Sequence, residues 1–271
     1  MKTNFEHASI MTDNLEKSLN FYCDLLGGTV VREGVIQSSN MRLAYVQFGP
    51  ESLIEILAPV NAERAGLDHI AFQVEDLDKQ FEILKEAGTL FTVAPKTAGS
   101  GVGRLAFFKD PDDIKVELLA QPPFRVSSDK LNPAPLVSEI DHVSLKVDDL
   151  AKSKSFYEKY FNGSPSFFLD MTAKGNMVID YVSVKFGTLG LKALTNGQSH
   201  GDCNKLAHLC FLVKDVDAAA QTLKSNGVVF DVDPKLSAVG SGYKLAVCLA
   251  PEGTRIEFQD RPNCESMGKN R

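Results

Sequence analysis

The sequence of 271 residues has no tryptophan, only five histidines and five cysteines. The cysteines are odd in number and none lies in a CxxC pair, which argues against a disulfide framework and indicates reduced thiols. No apolar run approaches the roughly 18 residues of a membrane span, and the opening MKTNFEHASI lacks a signal-peptide core. The net charge of −6 argues against nucleic acid or a membrane as the main partner. We therefore expect a cytoplasmic protein.

Four of the five histidines stand third in a recurring strand-like phrase: FEHASIMT (5–12), LDHIAFQV (67–74), IDHVSLKV (140–147) and LAHLCFLV (206–213). Seven residues after each histidine comes a helix N-cap type, and each helical pattern then ends at a glycine. The N-caps are Asn14, Asp76, Asp149 and Asp215, and the glycines are Gly27, Gly88, Gly163 and Gly227. Two or three strand patterns follow each helix, so the sequence predicts four βαβββ units.

A proline-rich stretch divides the four units into two pairs. We predict an N-terminal module at 1–121, a linker at 122–138, a C-terminal module at 139–262 and a tail at 263–271. Because sequential elements are usually neighbours, consecutive units are expected to pair, giving an α+β fold of two half-open eight-stranded cups. An exchanged pairing, which would bring His7 to His208, is the alternative.

Side chains alternate across a strand, so Ile70, Phe72 and Val74 face one side and His69 the other. The uniformly apolar face is expected to pack beneath the helix that follows it, and the histidine face to line a cavity. A single histidine placed in this way usually has a structural role. Four equivalent placements favour a function instead.

Acidic residues interrupt three otherwise apolar strands, at Glu55, Glu117 and Glu257. Each lies on an exposed strand face or needs a cation, since a buried unpaired carboxylate is costly. Together with the histidines they suit a divalent metal, Fe, Mn, Ni, Co or Zn. The second half has Lys192 where the first has Glu55, and a charged lysine cannot be a ligand. The predicted metal residues are His7, Glu55, His69, Glu117, His142, His208 and Glu257.

These four phrases, with the stretches GRLAFFKDPDDIKVELL and YKLAVCLAPEGTRIEF, resemble the vicinal oxygen chelate superfamily, which includes glyoxalase I, the extradiol dioxygenases and the bleomycin resistance proteins. The resemblance implies a metal at the floor of each cup. The first ligand set is similar to that of glyoxalases and epimerases. The second is similar to the 2-His-1-carboxylate set of the dioxygenases. Tyr243 lies near the histidine that the dioxygenases carry, but Val247 stands where they have a tyrosine, which puts catechol cleavage in doubt.

The leading hypothesis is a metal-dependent isomerase, lyase or epimerase that chelates vicinal oxygens of a small substrate, with Glu117 or Glu55 as the base. The alternatives are an Fe(II) dioxygenase with its site in the C-terminal cup, where Glu257 would be the carboxylate, and a drug-binding protein without chemistry. Arg104 and Lys244 occupy matching places and, with Tyr243, are candidates for binding substrate. A homodimer is left open.

Overall fold

The computed structural model describes residues 2–60, 65–121, 124–196, 198–201, 203–237 and 242–260, without the side chain of Lys174. The predicted tail at 263–271 and residues 122–123 of the predicted linker lie outside these ranges. None of the helices within them has the length and apolarity that a bilayer span requires. Among the described residues, Cys23, Cys203, Cys210 and Cys248 take part in no disulfide.

The described residues of the first half form eight strands and two helices. The strands are β1 (Thr3–Met11), β2 (Thr29–Ile36), β3 (Met41–Phe48), β4 (Ser52–Ala58), β5 (Gly66–Val74), β6 (Phe91–Thr97), β7 (Arg104–Lys109) and β8 (Lys115–Ala120). The helices are α1 (Leu15–Leu19), which continues as a π-helical segment at Asn20–Leu25, and α2 (Leu77–Glu86).

The second half repeats this order after a short 3-10 turn at Ser128–Lys130. Its strands are β9 (Val137–Lys146), β10 (Ser164–Asp170), β11 (Met177–Val184), β12 (Gly187–Leu194), β13 (Leu206–Val213), β14 (Phe230–Leu236), β15 (Lys244–Leu249) and β16 (Arg255–Asp260). Its helices are α3 (Leu150–Phe161), α4 (Thr172–Gly175) and α5 (Val216–Ser225). The short helix α4 has no counterpart among the residues of the first half that the structure describes.

Each half forms its own eight-stranded sheet, with the orders β2-β3-β4-β1-β5-β8-β7-β6 and β10-β11-β12-β9-β13-β16-β15-β14. The antiparallel pairs β1–β5 and β9–β13 join the two units of each half. This confirms the α+β fold and the consecutive pairing of units. We call the histidine-bearing face of the first sheet the first cup and that of the second sheet the second cup.

The helix N-caps follow the sequence prediction. The side chains of Asn14, Asp76, Asp149 and Asp215 each accept a hydrogen bond from a backbone N–H of the first helical turn. Gly27, Gly88 and Gly227 have positive φ, as a left-handed C-cap requires. The prediction was wrong at Gly163, because Asn162 adopts the left-handed conformation there with φ 53°. Asparagine is one of the few other residues that tolerates that conformation.

The two halves pack through their helix-side faces, which share one apolar core. Phe72 of β5 lies against Phe161 of α3 with ring centroids 4.2 Å apart, and Phe48 of β3 lies 4.9 Å from Phe211 of β13. Helix α3 therefore covers the first sheet as well as its own, and the two cups face away from this shared core.

Reciprocal hydrogen bonds join the first helical segment of each half to a turn of the other half. Ser18 of α1 and Tyr22 of the following π-helical segment donate to Glu252, which lies in the turn before β16. On the other side, Ser153 of α3 donates to Asp112, and Tyr157 donates to Asp110 over 2.6 Å. The turn before β8 thus makes the equivalent contacts, in which Asp112 and Asp110 each accept one of the two hydrogen bonds that Glu252 accepts alone.

The first described residues of the predicted linker close the edge of the first cup. The ring centroid of Phe124 lies 4.8 Å from that of Tyr45, and the guanidinium of Arg32 lies over the Phe124 ring at 4.3 Å from its centroid. Arg125 donates to the buried Glu6 carboxylate at 2.5 Å. This stretch is therefore part of the wall of the first cup as well as a connection.

Candidate metal centres

Strand register brings four predicted ligands together in the first cup. In one row Ser9 of β1 lies between Glu55 of β4 and His69 of β5. In the adjacent row Ala71 of β5 lies between His7 of β1 and Glu117 of β8. His7, Glu55, His69 and Glu117 each offer a ligand atom, and these four atoms all lie within 4.8 Å of one another.

The short distances in this set are those between imidazole nitrogens and carboxylate oxygens. The Nε2 atom of His69 lies 3.2 Å from Glu117 Oε2 and 3.6 Å from Glu55 Oε2. The Nε2 atom of His7 lies 3.5 Å from Glu117 and 3.6 Å from Glu55. All four residues are buried, with Glu55 the most exposed at 6%.

The two carboxylates of the first cup differ in how firmly they are held. Ser9 donates to Glu55 Oε2 at 2.9 Å and Tyr45 donates to Glu55 Oε1 at 2.6 Å, so both oxygens are fixed. Glu117 has no such anchor among the described residues, where the hydrogen bond and ion pairs of its side chain are to the imidazoles of His69 and His7.

Every one of the four histidines follows a β-bulge residue, a feature that strict alternation did not predict. The register shifts fall at Glu6, Asp68, Asp141 and Ala207. A bulge places two consecutive side chains on the same side of a strand. Asp68 can therefore accept from His69 Nδ1 at 2.7 Å, and Asp141 from His142 Nδ1 at 2.6 Å. Such a partner fixes the tautomer that leaves Nε2 available as a ligand.

The electrostatics of the first cup favour protons or a cation between its carboxylates. Burial lowers the pKa of His7, but Glu117 and Glu55 outweigh it and raise the pKa to about 10. Burial raises the pKa of Glu55, but His7 and His69 outweigh it and lower the pKa to about 2. The two carboxylates of the first cup therefore stabilise positive charge placed between them.

The residues of the first cup fit a divalent cation. Two imidazoles and two carboxylates are a donor set that first-row divalent metals accept. Both ring nitrogens of His7 are buried without a hydrogen-bond partner. A buried polar atom left without a partner is costly, and coordination would satisfy Nε2.

The second cup brings three predicted ligands together. His142 Nε2 lies 3.2 Å from His208 Nε2, and His208 Nε2 lies 3.8 Å from Glu257 Oε2. This set is more open than that of the first cup, because the His208 and Glu257 side chains are 17% and 16% exposed. Burial lowers the pKa of His208 to about 4, so this imidazole is neutral at physiological pH.

The prediction that Lys192 takes the place of Glu55 was wrong. Ser9 pairs with Glu55, and its counterpart Ser144 pairs with Gly190. Tyr45 and Tyr181 agree with this alignment, since they pair across the sheet with Glu55 and Gly190. Lys192 lies two residues further along β12, opposite Lys146. Burial and Lys146 lower the pKa of Lys192 from its usual value.

Two of the three substrate-binding candidates lie away from the clusters. Arg104 and Lys244 begin β7 and β15 and form exposed ion pairs with Asp78 of α2 and Asp217 of α5. They therefore lie on the helix side of the sheets, which alternation along β7 and β15 could have revealed. Tyr243 is buried beside the second cup, where burial, Glu257 and Tyr243 together hold the pKa of Tyr181 well above its usual value.

Residues 4–118 and 139–258 match the sequence model of the family described as the Glyoxalase/Bleomycin resistance protein/Dioxygenase superfamily. The chain belongs to this superfamily, as predicted. It is an enzyme of this superfamily, whose members include metal-dependent lyases and dioxygenases.

Three known proteins illustrate this relationship. The chain is 26% identical over 268 residues to a probable chloroplastic lactoylglutathione lyase of Arabidopsis thaliana, covering 94% of this chain and 72% of the relative. It is 33% identical over 120 residues to a probable lactoylglutathione lyase of Synechocystis, covering 42% and 92%. Homoprotocatechuate 2,3-dioxygenase from Arthrobacter globiformis shares the fold, with a TM-score of 0.71, 17% identity and coverage of 97% and 82%.

Proposed function

We propose that the chain is a divalent-metal-dependent enzyme of glyoxalase type and that its reaction takes place in the first cup. The observation that carries this proposal is the buried set of His7, Glu55, His69 and Glu117, in which one carboxylate is anchored and the other is not. The substrate class would be a small molecule with oxygens on adjacent carbons, such as the thiol adduct that leads to lactoylglutathione, after which the relatives are named.

His7, Glu55, His69 and Glu117 would hold the cation, which supplies Lewis-acid polarisation of the two substrate oxygens when bound. Ser9 and Tyr45 keep Glu55 in place as a ligand. Glu117 is the freer carboxylate and is the better candidate for the base. It would take the proton from one substrate carbon and return it to the adjacent carbon. Burial of all four residues limits the exchange of that proton with water.

The wall of the first cup suits the apolar part of such a substrate. Leu43, Tyr45, Leu53 and Leu57 form a second apolar cluster on this face, and Phe124 packs against it. A substrate seated there would have its oxygens directed to the cluster of ligands and its carbon chain against these side chains.

The test is to compare Glu117→Gln with Glu257→Gln, the same change in each cup. Thioester formation from a 2-oxoaldehyde and glutathione is followed by ultraviolet absorbance, and metal content is measured in each variant. Loss of a general base usually costs about 10²-fold to 10⁴-fold, so we expect Glu117→Gln to lose at least about 10²-fold and Glu257→Gln to keep most turnover. If only Glu257→Gln is inactive, the reaction belongs to the second cup.

A second candidate function is Fe(II)-dependent oxygen chemistry in the second cup. What favours it is the more open trio of His142, His208 and Glu257, with Gly190 in the place that Glu55 has in the first cup. Oxygen uptake by the iron-loaded protein with a catechol would support this candidate. Drug binding without chemistry, the third hypothesis from the sequence, has no observation in its favour, since the chain is an enzyme.

Several finer predictions accompany this proposal. We propose a cytoplasmic location, as expected from the sequence. Imaging of the tagged protein would distinguish it from the chloroplast location after which one relative is named. The predicted module boundaries at 121 and 139 are testable by limited proteolysis. Light scattering decides between a monomer and the homodimer left open above.

A further inference from the structure

The two cups differ at two positions of otherwise identical rows. The row Glu55–Ser9–His69 in the first cup corresponds to Gly190–Ser144–His208 in the second. The row His7–Ala71–Glu117 corresponds to His142–Cys210–Glu257. One carboxylate is thus lost from β12, and a thiol appears on β13 where the first cup has the methyl group of Ala71.

Cys210 occupies the centre of its row, with His142 on one neighbouring strand and Glu257 on the other. It is fully buried, and its Sγ atom lies 3.8 Å from Glu257 Oε1. Ligand atoms of Cys210, His142 and Asp141 also lie within 4.8 Å of one another, as do those of His142, His208 and Glu257. His142 belongs to both groups, so the thiol borders the three predicted ligands on the side of His142 and Glu257.

We propose that the Cys210 thiolate is the fourth donor of a metal site in the second cup, together with His142, His208 and Glu257. On binding, the S–H bond of Cys210 breaks, its proton goes to solvent and a bond from Sγ to the cation forms, with no change of oxidation state. This proposal rests on the proposed role of the cups as metal sites. It does not depend on the reaction of the first cup.

Charge balance supports this assignment. The first cup offers two anionic donors, Glu55 and Glu117, to a cation of charge +2. With Cys210 as a thiolate, the second cup also offers two, Cys210 and Glu257. Without it, Glu257 would be the single anionic donor among the three predicted ligands His142, His208 and Glu257. With Cys210 in place of Glu55 as the second anionic donor, the charges of the donors and of a divalent cation still sum to zero.

The alternative sources of a fourth donor on β12 are poor. A Cβ atom at Gly190 would lie 3.2 Å from both the His142 and Tyr181 rings, so the space that Glu55 uses in the first cup is filled. Lys192 cannot be a ligand while charged. A set of two imidazoles, one carboxylate and one thiolate suits Zn²⁺ or Co²⁺, because borderline-soft cations accept thiolate sulfur.

The test uses Co²⁺ as the probe, added to the full-length protein and followed by absorption spectroscopy. A thiolate ligand gives a sulfur-to-cobalt charge-transfer band in the near ultraviolet, whereas a site of nitrogen and oxygen donors gives only the weak visible bands. We expect the band in the unsubstituted protein, its loss in Cys210→Ala, and its retention in Cys203→Ser and Cys248→Ala. Cobalt affinity of the second cup should fall at least about tenfold in Cys210→Ala.

The outcomes of this cobalt test can be distinguished from those of the turnover test of the proposed function. His208→Ala should remove both the band and one cobalt per chain, whereas His69→Ala should remove one cobalt and leave the band. Binding of two Co²⁺ ions without the band would overturn the role of Cys210. A band that survives Cys210→Ala would also overturn it. Neither result concerns turnover at Glu117.

Discussion

The first cup carries its fourth donor on β4, as Glu55, whereas the second has Gly190 at the matching place in β12 and a thiol at Cys210. The first cluster is enclosed by an apolar wall, and the second is partly open beside Lys192. The comparison teaches that a duplicated scaffold can keep the strand positions of its two imidazoles and one carboxylate while the remaining donor moves to another strand.

The largest expected effect that sharpens this comparison comes from the carboxylate partners of the histidines. Asp68→Asn replaces the carboxylate beside His69 Nδ1 with a neutral amide, so the ring keeps only a weaker, uncharged acceptor and its tautomer is held less firmly. Loss of such a partner typically costs 10-fold to 100-fold in metal affinity or activity. We expect about that loss in the first cup, measured by metal titration and turnover. The control is Asp141→Asn, which should weaken the second cup alone. Equal loss in both cups from either variant would show that they are not independent.

A smaller effect is expected from the paired tyrosines. Tyr45→Phe removes the 2.6 Å hydrogen bond to Glu55 and releases one of its oxygens. We expect a drop in turnover of roughly 10-fold, in the lower part of the range for an outer partner of a ligand. Tyr181→Phe is the matched control, because Gly190 offers no carboxylate to anchor. If Tyr181→Phe reduces turnover as much as Tyr45→Phe does, the difference drawn between the cups is wrong.

How far these contrasts were visible in the sequence differs between residues. The 2-residue period of LDHIAFQV identified the face of His69, and apolar neighbours marked Glu55, Glu117 and Glu257 as unusual. The bulges were not visible, because alternation places Asp68 opposite His69 and only the register shift brings them together. The position of Gly190 was also missed. Equal spacing would have found it, because Glu55 follows His7 by 48 residues and Gly190 follows His142 by 48, whereas Lys192 lies two residues further along β12.

The interface between the halves gives a pH-dependent contrast. Burial raises the pKa of Asp110 to about 6, with a smaller contribution from Asp112, although Tyr157 and two backbone N–H groups partly oppose it. The second half has Ala250 at this place. A carboxyl whose pKa is higher in the folded state binds more protons folded than unfolded. Its contribution is therefore present below about pH 4 and is lost as pH rises through about 6.

Asp110→Asn should remove that loss, since an amide can accept from the same backbone N–H groups without ionising. We expect the variant to gain stability relative to the unsubstituted chain between pH 4 and pH 7, on the order of 1 to 3 kcal/mol. Chemical denaturation at several pH values measures it. The same pH dependence in both proteins would contradict the role assigned to Asp110.

The smallest effect is expected at the exposed ion pairs on the helix side. Arg104→Ala breaks the contact with Asp78, and Lys244→Ala breaks its counterpart with Asp217. Exposed pairs contribute little, so KM should change by less than about threefold in either variant. A large rise in KM for Arg104→Ala would instead restore the sequence-based prediction that this residue binds substrate.

The central claim is that the first cup carries the reaction while the second holds a separate metal site. The most direct measurement is turnover together with metal content in His69→Ala and His208→Ala. We predict that each variant loses one metal ion per chain, that His69→Ala loses turnover, and that His208→Ala keeps most of it. An inactive His208→Ala protein beside an active His69→Ala protein, each lacking one metal ion, would contradict the claim.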